Sequence, residues 1–459
     1  MHYRPVVDRF VEIPALDPLW FMLFTAAFIA IALLAQKRAL YGLLALIASA
    51  PFAFAHGVGH MTVTLPKVAL LAIVLGLCAH PALLQRLRSR EARWWLLALI
   101  ALVATTLLSV TQADYLAPAL RESLKAIEAT VIFVVAFLAS GESEVLERFA
   151  LPTFAATTVL VAFFALIQEL IGAPSGLNLG AIVLPRIAGP LGGPNQLAGF
   201  LEIAIAILAA AQLAQPRRYL AWALAAAILV EILTLSRAGI FFSLCILVLL
   251  IFLRPQNARA ALLPALGALL LGIFVSAGTT FGNVLSGARP PDFTTWMLGL
   301  FRIGARQTGA GGVGTRSELW RAAIALWRRH PWLGIGAGNY HLELGRVGLP
   351  SVRTQPNSLY LRALVDGGIP LLAATLWLWI GGCVRLGQSA IRSNAWIAAA
   401  FTSTVALALH GIVDNLQFYP KVLTWWLVLV AIAVARQCAR RSLDTMASPS
   451  TRDDRTYSG

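Results

Sequence analysis

The sequence predicts an all-α polytopic membrane protein, and three observations carry that prediction. Of 459 residues, 59% are hydrophobic and only 12% are charged, with a mean hydropathy of +0.76. The apolar runs are continuous over about 16–20 residues and do not alternate at period two. Backbone groups in lipid must be satisfied internally, which leaves helices or a closed barrel, and continuous runs of this length favour helices. Short basic linkers separate the runs, as the positive-inside rule requires of cytoplasmic turns.

Taken in order, thirteen segments have the length and apolarity of spans, near residues 18–35, 39–56, 66–84, 94–111, 124–140, 149–171, 196–214, 218–235, 238–253, 259–278, 368–386, 394–413 and 420–437. The first can span the bilayer or lie along it, so the expectation is about 12–13 transmembrane helices. Basic linkers at 37–38, 86–93, 217–218, 254–259, 385–392 and 436–441 are expected to face the cytoplasm. The loops near 172–195 and 279–367 then lie outside, in the periplasm of a bacterial inner membrane. Four parts follow: N-terminal transmembrane helices (1–278), a large periplasmic loop with active-site elements (279–367), C-terminal transmembrane helices (368–442) and a disordered cytoplasmic tail (443–459). The N-terminus lacks the pattern of a cleaved signal peptide, so the first segment is expected to remain. The net charge of +15 suits contact with anionic membrane lipids. Four cysteines lie in or beside apolar runs at no metal-ligand spacing, which argues against a disulfide framework. No internal repeat or separate soluble domain is visible.

The most informative stretch is 316–368, GTRSELWRAAIALWRRHPWLGIGAGNYH followed by QPNSLYLRALVDGG. A chain this apolar has little reason to gather arginines in one outside loop unless they meet something anionic. Thr315 or Ser317 can cap a helix through Leu319, Ala323, Ile324 and Trp327. Its arginines and tryptophans read as an amphipathic helix resting on the membrane interface and ending at Pro331. A second short helix is expected to start near Asn357 or Ser358. The Gly-rich run GAGGVG lacks the lysine and preceding strand of a phosphate loop and is set aside.

Further outside residues stand near span ends. RIAGPLGGPNQLAGF places Arg186, Asn195 and Gln196 at a membrane entrance, TLSRAG places Arg237 at a helix terminus, and HGIVDNLQFYP carries His410 and Asp414. Guanidinium forks match phosphate geometry and stay charged, so convergent arginines suit a pyrophosphate and can stabilise charge building on it as it leaves. A neutral histidine nearby can accept the proton of an attacking hydroxyl. Each residue also has a plainer reading. Arg237 fits a snorkelling side chain, Arg186 and Asn195 fit turn chemistry, and Arg316 fits a first-turn residue held by Glu318. His341 fits a solvated loop residue. His410 and Asp414 fit a structural hydrogen-bonded pair. Glu169, Glu202 and Glu231 lie in or beside spans, where ionisable groups are functional candidates.

Together the motifs RIAGPLGGPNQLAGF, LSRAG, RSELW with HPWLGIGAGNY, NSLYLRALVDGG and HGIVDNLQFYP resemble, in order, the O-antigen ligase and polymerase superfamily of glycan transferases. The resemblance covers roughly residues 180–420. It implies a GT-C-like architecture and a glycan donor carried on undecaprenyl pyrophosphate. It further implies metal-independent transfer with inversion at the sugar carbon, without a cofactor. By the same carry-over Arg237 and Arg316 match pyrophosphate-side arginines, with Arg186 a possible third. Asn195, Asn357 and His410 are candidate substrate-binding residues. The family's loop usually reads His-Asn or His-Ser before nine residues and a glycine, whereas here Pro356 precedes Asn357 and the glycine is Gly367. His341 is the best substitute for the missing histidine; the alternative is that positioning alone activates the acceptor.

The favoured expectation is a ligase moving O-antigen onto a sugar hydroxyl of lipid A–core in lipopolysaccharide biosynthesis, because a positive loop suits a phosphorylated acceptor. A polymerase or a protein O-oligosaccharyltransferase would use the same donor. A transporter or flippase of lipid-linked glycans is a different class, and would show interrupted spans in two corresponding halves. No nucleic-acid partner is expected, and the chain is expected to act as a monomer.

Overall fold

The computed structural model describes residues 18–52, 55–58, 61–141, 143–173, 175–179, 182–285, 316–351, 354–390 and 394–447. All thirteen apolar segments fall on helices: α1 (Pro18–Lys37), α2 (Ala39–Ser49), α3 (Leu65–Leu77), α4 (Arg90–Ser109), α5 (Leu116–Ala139), α6 (Ser143–Ile171), α7 (Pro194–Ala214), α8 (Arg218–Leu233), α9 (Arg237–Leu253), α10 (Ala258–Leu285) and, after the outside segment, three more. Residues 316–343 contribute α11 (Arg316–Trp327) and the single turn α12 (Tyr340–Glu343), and the last three are α13 (Leu359–Ala390), α14 (Ala395–His410) and α15 (Pro420–Ala447). The chain is a multi-pass, all-α membrane protein with two small β-hairpins.

Helices by themselves do not make thirteen crossings. Among the described residues six helices are long and apolar enough to span alone, and a seventh span exists if α3 and the 3₁₀ turn Pro81–Arg88, bent by 99°, count as one. The segment at 39–56 was read as one span; its helix stops at Ser49, and β1 (Ala55–Val58) pairs antiparallel with β2 (Met61–Thr64). Its apolar composition is satisfied by packing inside the protein, because Leu40, Leu43, Leu46 and Ile47 are all buried. α10 continues through Leu285, beyond the expected loop boundary, while Thr315 and the GAGGVG run lie outside the described residues.

α7 is the axis of the bundle. In its most apolar stretch 94% of residues are buried, and α8, α9, α14 and α15 pack around it. The reason is compositional. Ala204, Ala206, Ala209, Ala210 and Ala211 let neighbouring backbones approach closely, and such packing supplies cohesion where lipid removes the hydrophobic drive. Pro194 at the first helical position starts it cleanly, since that residue needs no N–H partner. Beside α7, the Trp425 ring meets Phe200 at 4.2 Å and Phe154 at 4.9 Å. The Trp425 and Trp426 indole N–H groups donate to Ile47 O and Thr404 Oγ1, each at 3.0 Å, so neither donor is left unsatisfied in an apolar interior.

Residues 316–351 and the start of α13 form a second, smaller core. Leu319, Ala323 and Leu326 of α11 are buried against α13 with Ile335, Tyr340, Leu344 and Val365. The helix read as lying on the membrane therefore spends its apolar face on protein, leaving Arg321 exposed. The expected short helix near 357 is continuous with α13, broken only where Gly367 and Gly368 leave helical geometry.

Candidate active site

Chain reversals bring three arginines together. The hairpin β3 (Ser175–Leu179) and β4 (Ile182–Arg186) ends on Arg186. After α8 the chain turns through Leu235 at φ 50°, a positive angle costing about 1–3 kcal/mol for a side-chain-bearing residue, so the turn is held by its surroundings. The Thr234 hydroxyl donates to Glu231 O at 2.6 Å and accepts from the Ser236 amide at 3.1 Å, fixing that reversal. It leaves Thr234 O to accept Arg186 Nε at 2.9 Å and sets Arg237 as the first residue of α9. Arg186 also donates to Asn195 Oδ1 at 3.0 Å, Asn195 Nδ2 donates to Asp414 Oδ2 at 2.8 Å, and Arg316 lies 3.8 Å from the same oxygen.

Arg186, Arg237, Arg316, Asn195 and Asp414, from five separate stretches of chain, thus form one cluster. Burial, followed by the like charges of Arg237 and Arg316, pulls the Arg186 guanidinium down to about 10, with Asp414 opposing. At neutral pH it remains charged, and a bound anion would relieve that repulsion. Arg237 and Arg316 each open a helix, where unpaired backbone N–H groups favour negative charge.

The plainer sequence readings give way at several points. Arg186 and Asn195 do shape a turn, yet their side chains meet each other and Asp414. Arg316 faces Asp414. His410 and Asp414 are joined through backbone, Asp414 N donating to His410 O at 2.9 Å. The His410 side chain instead pairs through Nδ1 with Glu202 Oε1 at 2.6 Å, both side chains buried, and stacks on Phe242 at 5.0 Å. Glu231 lies beside Gly239, where any Cβ would stand 2.3 Å from its Oε1. Asn357 adopts φ 50°, and its neighbours lock that stretch to the same outer turn: Leu359 N donates to Gly411 O at 2.7 Å and Asn415 Nδ2 to Gln355 Oε1 at 3.1 Å.

His341 stands in α12, whose fixed contacts run elsewhere. Tyr340 donates to Leu319 O at 2.7 Å, Asn339 Nδ2 to Tyr115 O at 3.2 Å, and Glu343 pairs with Arg346, which also pairs with Asp114. A network that the sequence reading missed lies between: Arg362 pairs with Glu122 and Asp366, each at 3.0 Å. The i,i+4 spacing of Arg362 and Asp366 in LRALVD was the available signal; Glu122, 240 positions away, gave none. Among the described residues no group of three or more His, Cys, Asp or Glu is placed to hold a metal ion.

Residues 220–376 match the family model described as O-antigen ligase. That segment is about a third of the chain, and through it the chain resembles the O-antigen ligase superfamily. No curated relative matches. The matched segment contains Arg237, Arg316, His341 and Asn357; Arg186, Asn195 and Asp414 lie beyond its bounds and reach the cluster through the fold, and His410 also lies beyond them. The match supports glycan-transfer activity of the ligase or polymerase type.

Proposed function

We propose that this protein is an inverting, metal-independent ligase of the bacterial inner membrane, moving O-antigen glycan from undecaprenyl pyrophosphate to a sugar hydroxyl of lipid A–core at the periplasmic face. The single observation that carries this reading is the gathering of Arg186, Arg237 and Arg316 in one cluster with Asp414, in a chain whose residues 220–376 match the O-antigen ligase family model. An acceptor hydroxyl oxygen attacks the anomeric carbon on the face opposite the pyrophosphate. The carbon–oxygen bond to the carrier breaks, and its electron pair leaves on the pyrophosphate. Three guanidinium groups meet that growing charge, and preorganised donors of this kind act without reorganising at the moment of reaction. His341 takes the hydroxyl proton. Asn195 and Asn357 contact the substrate, while His410, held by Glu202, positions the turn that carries Asp414.

The test is transfer by purified protein from undecaprenyl-pyrophosphate-linked glycan to lipid A–core in detergent, with and without EDTA. Transfer unaffected by EDTA is the expected result. Lengthening of the carrier-linked glycan without an acceptor lipid would replace the ligase reading with a polymerase, and movement of the intact donor across vesicles without transfer would replace it with a flippase. His341→Ala at an unchanged rate would remove that residue as the base.

A further inference from the structure

A cavity of about 210 Å³ lies between α4, α5, α13 and α15, beside the arginine cluster and separate from it. Asn415, next to Asp414, forms part of its rim, and Gln355 links that residue to Arg362 by accepting from both, at 3.1 and 3.3 Å. The mouth is polar. Two cations, Lys125 and Arg362, stand there with two carboxylates, Glu122 and Asp366, while Glu128 lines the wall about 9 Å further along α5. The cations are already engaged: Lys125 with Glu122, Arg362 with Glu122 and Asp366, and both over the Phe418 ring at 4.5 and 3.9 Å. Such a mouth has no surplus positive charge for a phosphate.

It does have unfilled acceptors. Asp366 Oδ1, on a side chain 5% exposed, and Gln417 Oε1 are both buried without a hydrogen-bond partner, and both residues line the cavity. A buried acceptor left so costs about 1–3 kcal/mol, and what satisfies it is a donor. Below the mouth the walls are apolar, including Leu99, Ala129, Ile132, Leu378, Trp426 and Leu427. From Glu122 to Ile132 the lining of α5 extends about 15 Å at 1.5 Å per residue, close to half of the roughly 30 Å hydrocarbon core.

We propose that this cavity is a glycolipid site, taking an uncharged hydroxyl-bearing sugar at its mouth and an apolar chain in its depth. It rests on the glycan-transfer reading, and it names the acceptor side of that reaction. The diphosphate of the donor belongs to the three arginines, while the sugar offering the attacking hydroxyl enters uncharged, with any phosphates of the acceptor remaining outside. At this volume the cavity holds one part of a ligand, since whole drug-sized ligands occupy about 300–1,000 Å³.

The experiment uses the full chain in nanodiscs and two photoreactive probes with the same diazirine-bearing chain, an alkyl glucoside and a phosphatidylglycerol. Labelled peptides are mapped after irradiation. The glucoside is expected to label residues 126–132 and 371–379 several-fold more than the phospholipid. Gln417→Leu should lower that labelling about five-fold, the loss of one neutral hydrogen bond, and Ala129→Phe, which fills the cavity, should lower it further. Arg316→Ala, which disables the donor side, should leave it unchanged. Equal or stronger labelling by the phospholipid, or labelling of neither helix by the glucoside, would overturn the proposal. Glycan transfer by a protein that the glucoside does not label would sink the pocket and leave the transferase reading standing. Labelling as expected in a protein with no transfer activity would support the site and sink the transferase.

Discussion

Arg186 is the most constrained of the three arginines, with its Nε spent on Thr234 O and one terminal nitrogen on Asn195. Replacing Arg186, Arg237 or Arg316 by Ala is expected to lower kcat/KM by about 10²–10³-fold each, the usual cost of one preorganised donor. Arg186→Lys should rescue little, because an ammonium cannot reproduce two directed contacts of a planar fork. Steady-state transfer assays on folded variants check both. The pH dependence has a definite sign. The folded Arg186 loses its proton at about 10, below the ordinary arginine value of 12.5, first through burial and then through Arg237 and Arg316. Its native-state penalty is therefore present at neutral pH and is relieved as pH rises past about 10, where stability improves while affinity for a diphosphate falls. Binding measured from neutral pH upward should be level and then decline; a decline beginning near neutrality would assign the anion to another group. The arginines were legible as candidates because they interrupt apolar sequence at span ends. Their tie to Asp414 was not, because Asn195 and Asp414 lie 219 positions apart and only packing of α7 against α14 joins them.

Two elements hold the outside segment to the bundle. Gly334 and Gly368 both take positive φ, and a Cβ on either would stand 2.5 Å from Asp366 C or 2.3 Å from Trp332 O. Ile335 N donates to Val365 O at 2.9 Å and Ile369 N to Pro331 O at 3.1 Å, so the two strips of chain are stitched side by side. Gly368→Ala should destabilise by more than about 1 kcal/mol, through strain and lost contact together. It should also slow transfer, since the same strip orients Asp366 and Arg362; thermal unfolding with an activity assay reads both. The Glu202–His410 pair ties α7 to α14 in the same way. Glu202→Ala leaves a buried histidine unpaired and should cost about 3–5 kcal/mol, whereas Glu202→Gln, which keeps a hydrogen bond, should cost less. Equal melting temperatures for the two variants would contradict that assignment. The helices themselves were readable from length and apolarity, and a helix through Leu319, Ala323, Ile324 and Trp327, capped at Thr315 or Ser317 and closed by Pro331, was readable by its spacing where α11 runs from Arg316 to Trp327. What covers α11 was not readable, because an apolar stripe looks the same whether it meets lipid or α13. The stop of α2 at Ser49 was hidden for a similar reason, since the apolar residues continue past it.

At the scale of the molecule, a single buried helix, α7, organises the bundle, with Arg186 and Asn195 beside its N-terminal end and α8 and α9 of the family-matched segment packed against it. This arrangement predicts that the outside segment and the arginines share the periplasmic side while the C-terminus faces the cytoplasm. Alkaline phosphatase inserted within 286–315 should be active, and green fluorescent protein fused after residue 459 should fluoresce. The reverse pattern would turn the site toward the cytoplasm and remove a periplasmic transferase. The central claim is that three guanidinium groups from different parts of the chain form one diphosphate site. The measurement that reaches it most directly is a structure determined with the undecaprenyl-pyrophosphate-linked donor bound. The account predicts both phosphates among Arg186, Arg237 and Arg316. Phosphates lodged at any other place on the protein, with those three side chains left untouched, would contradict it.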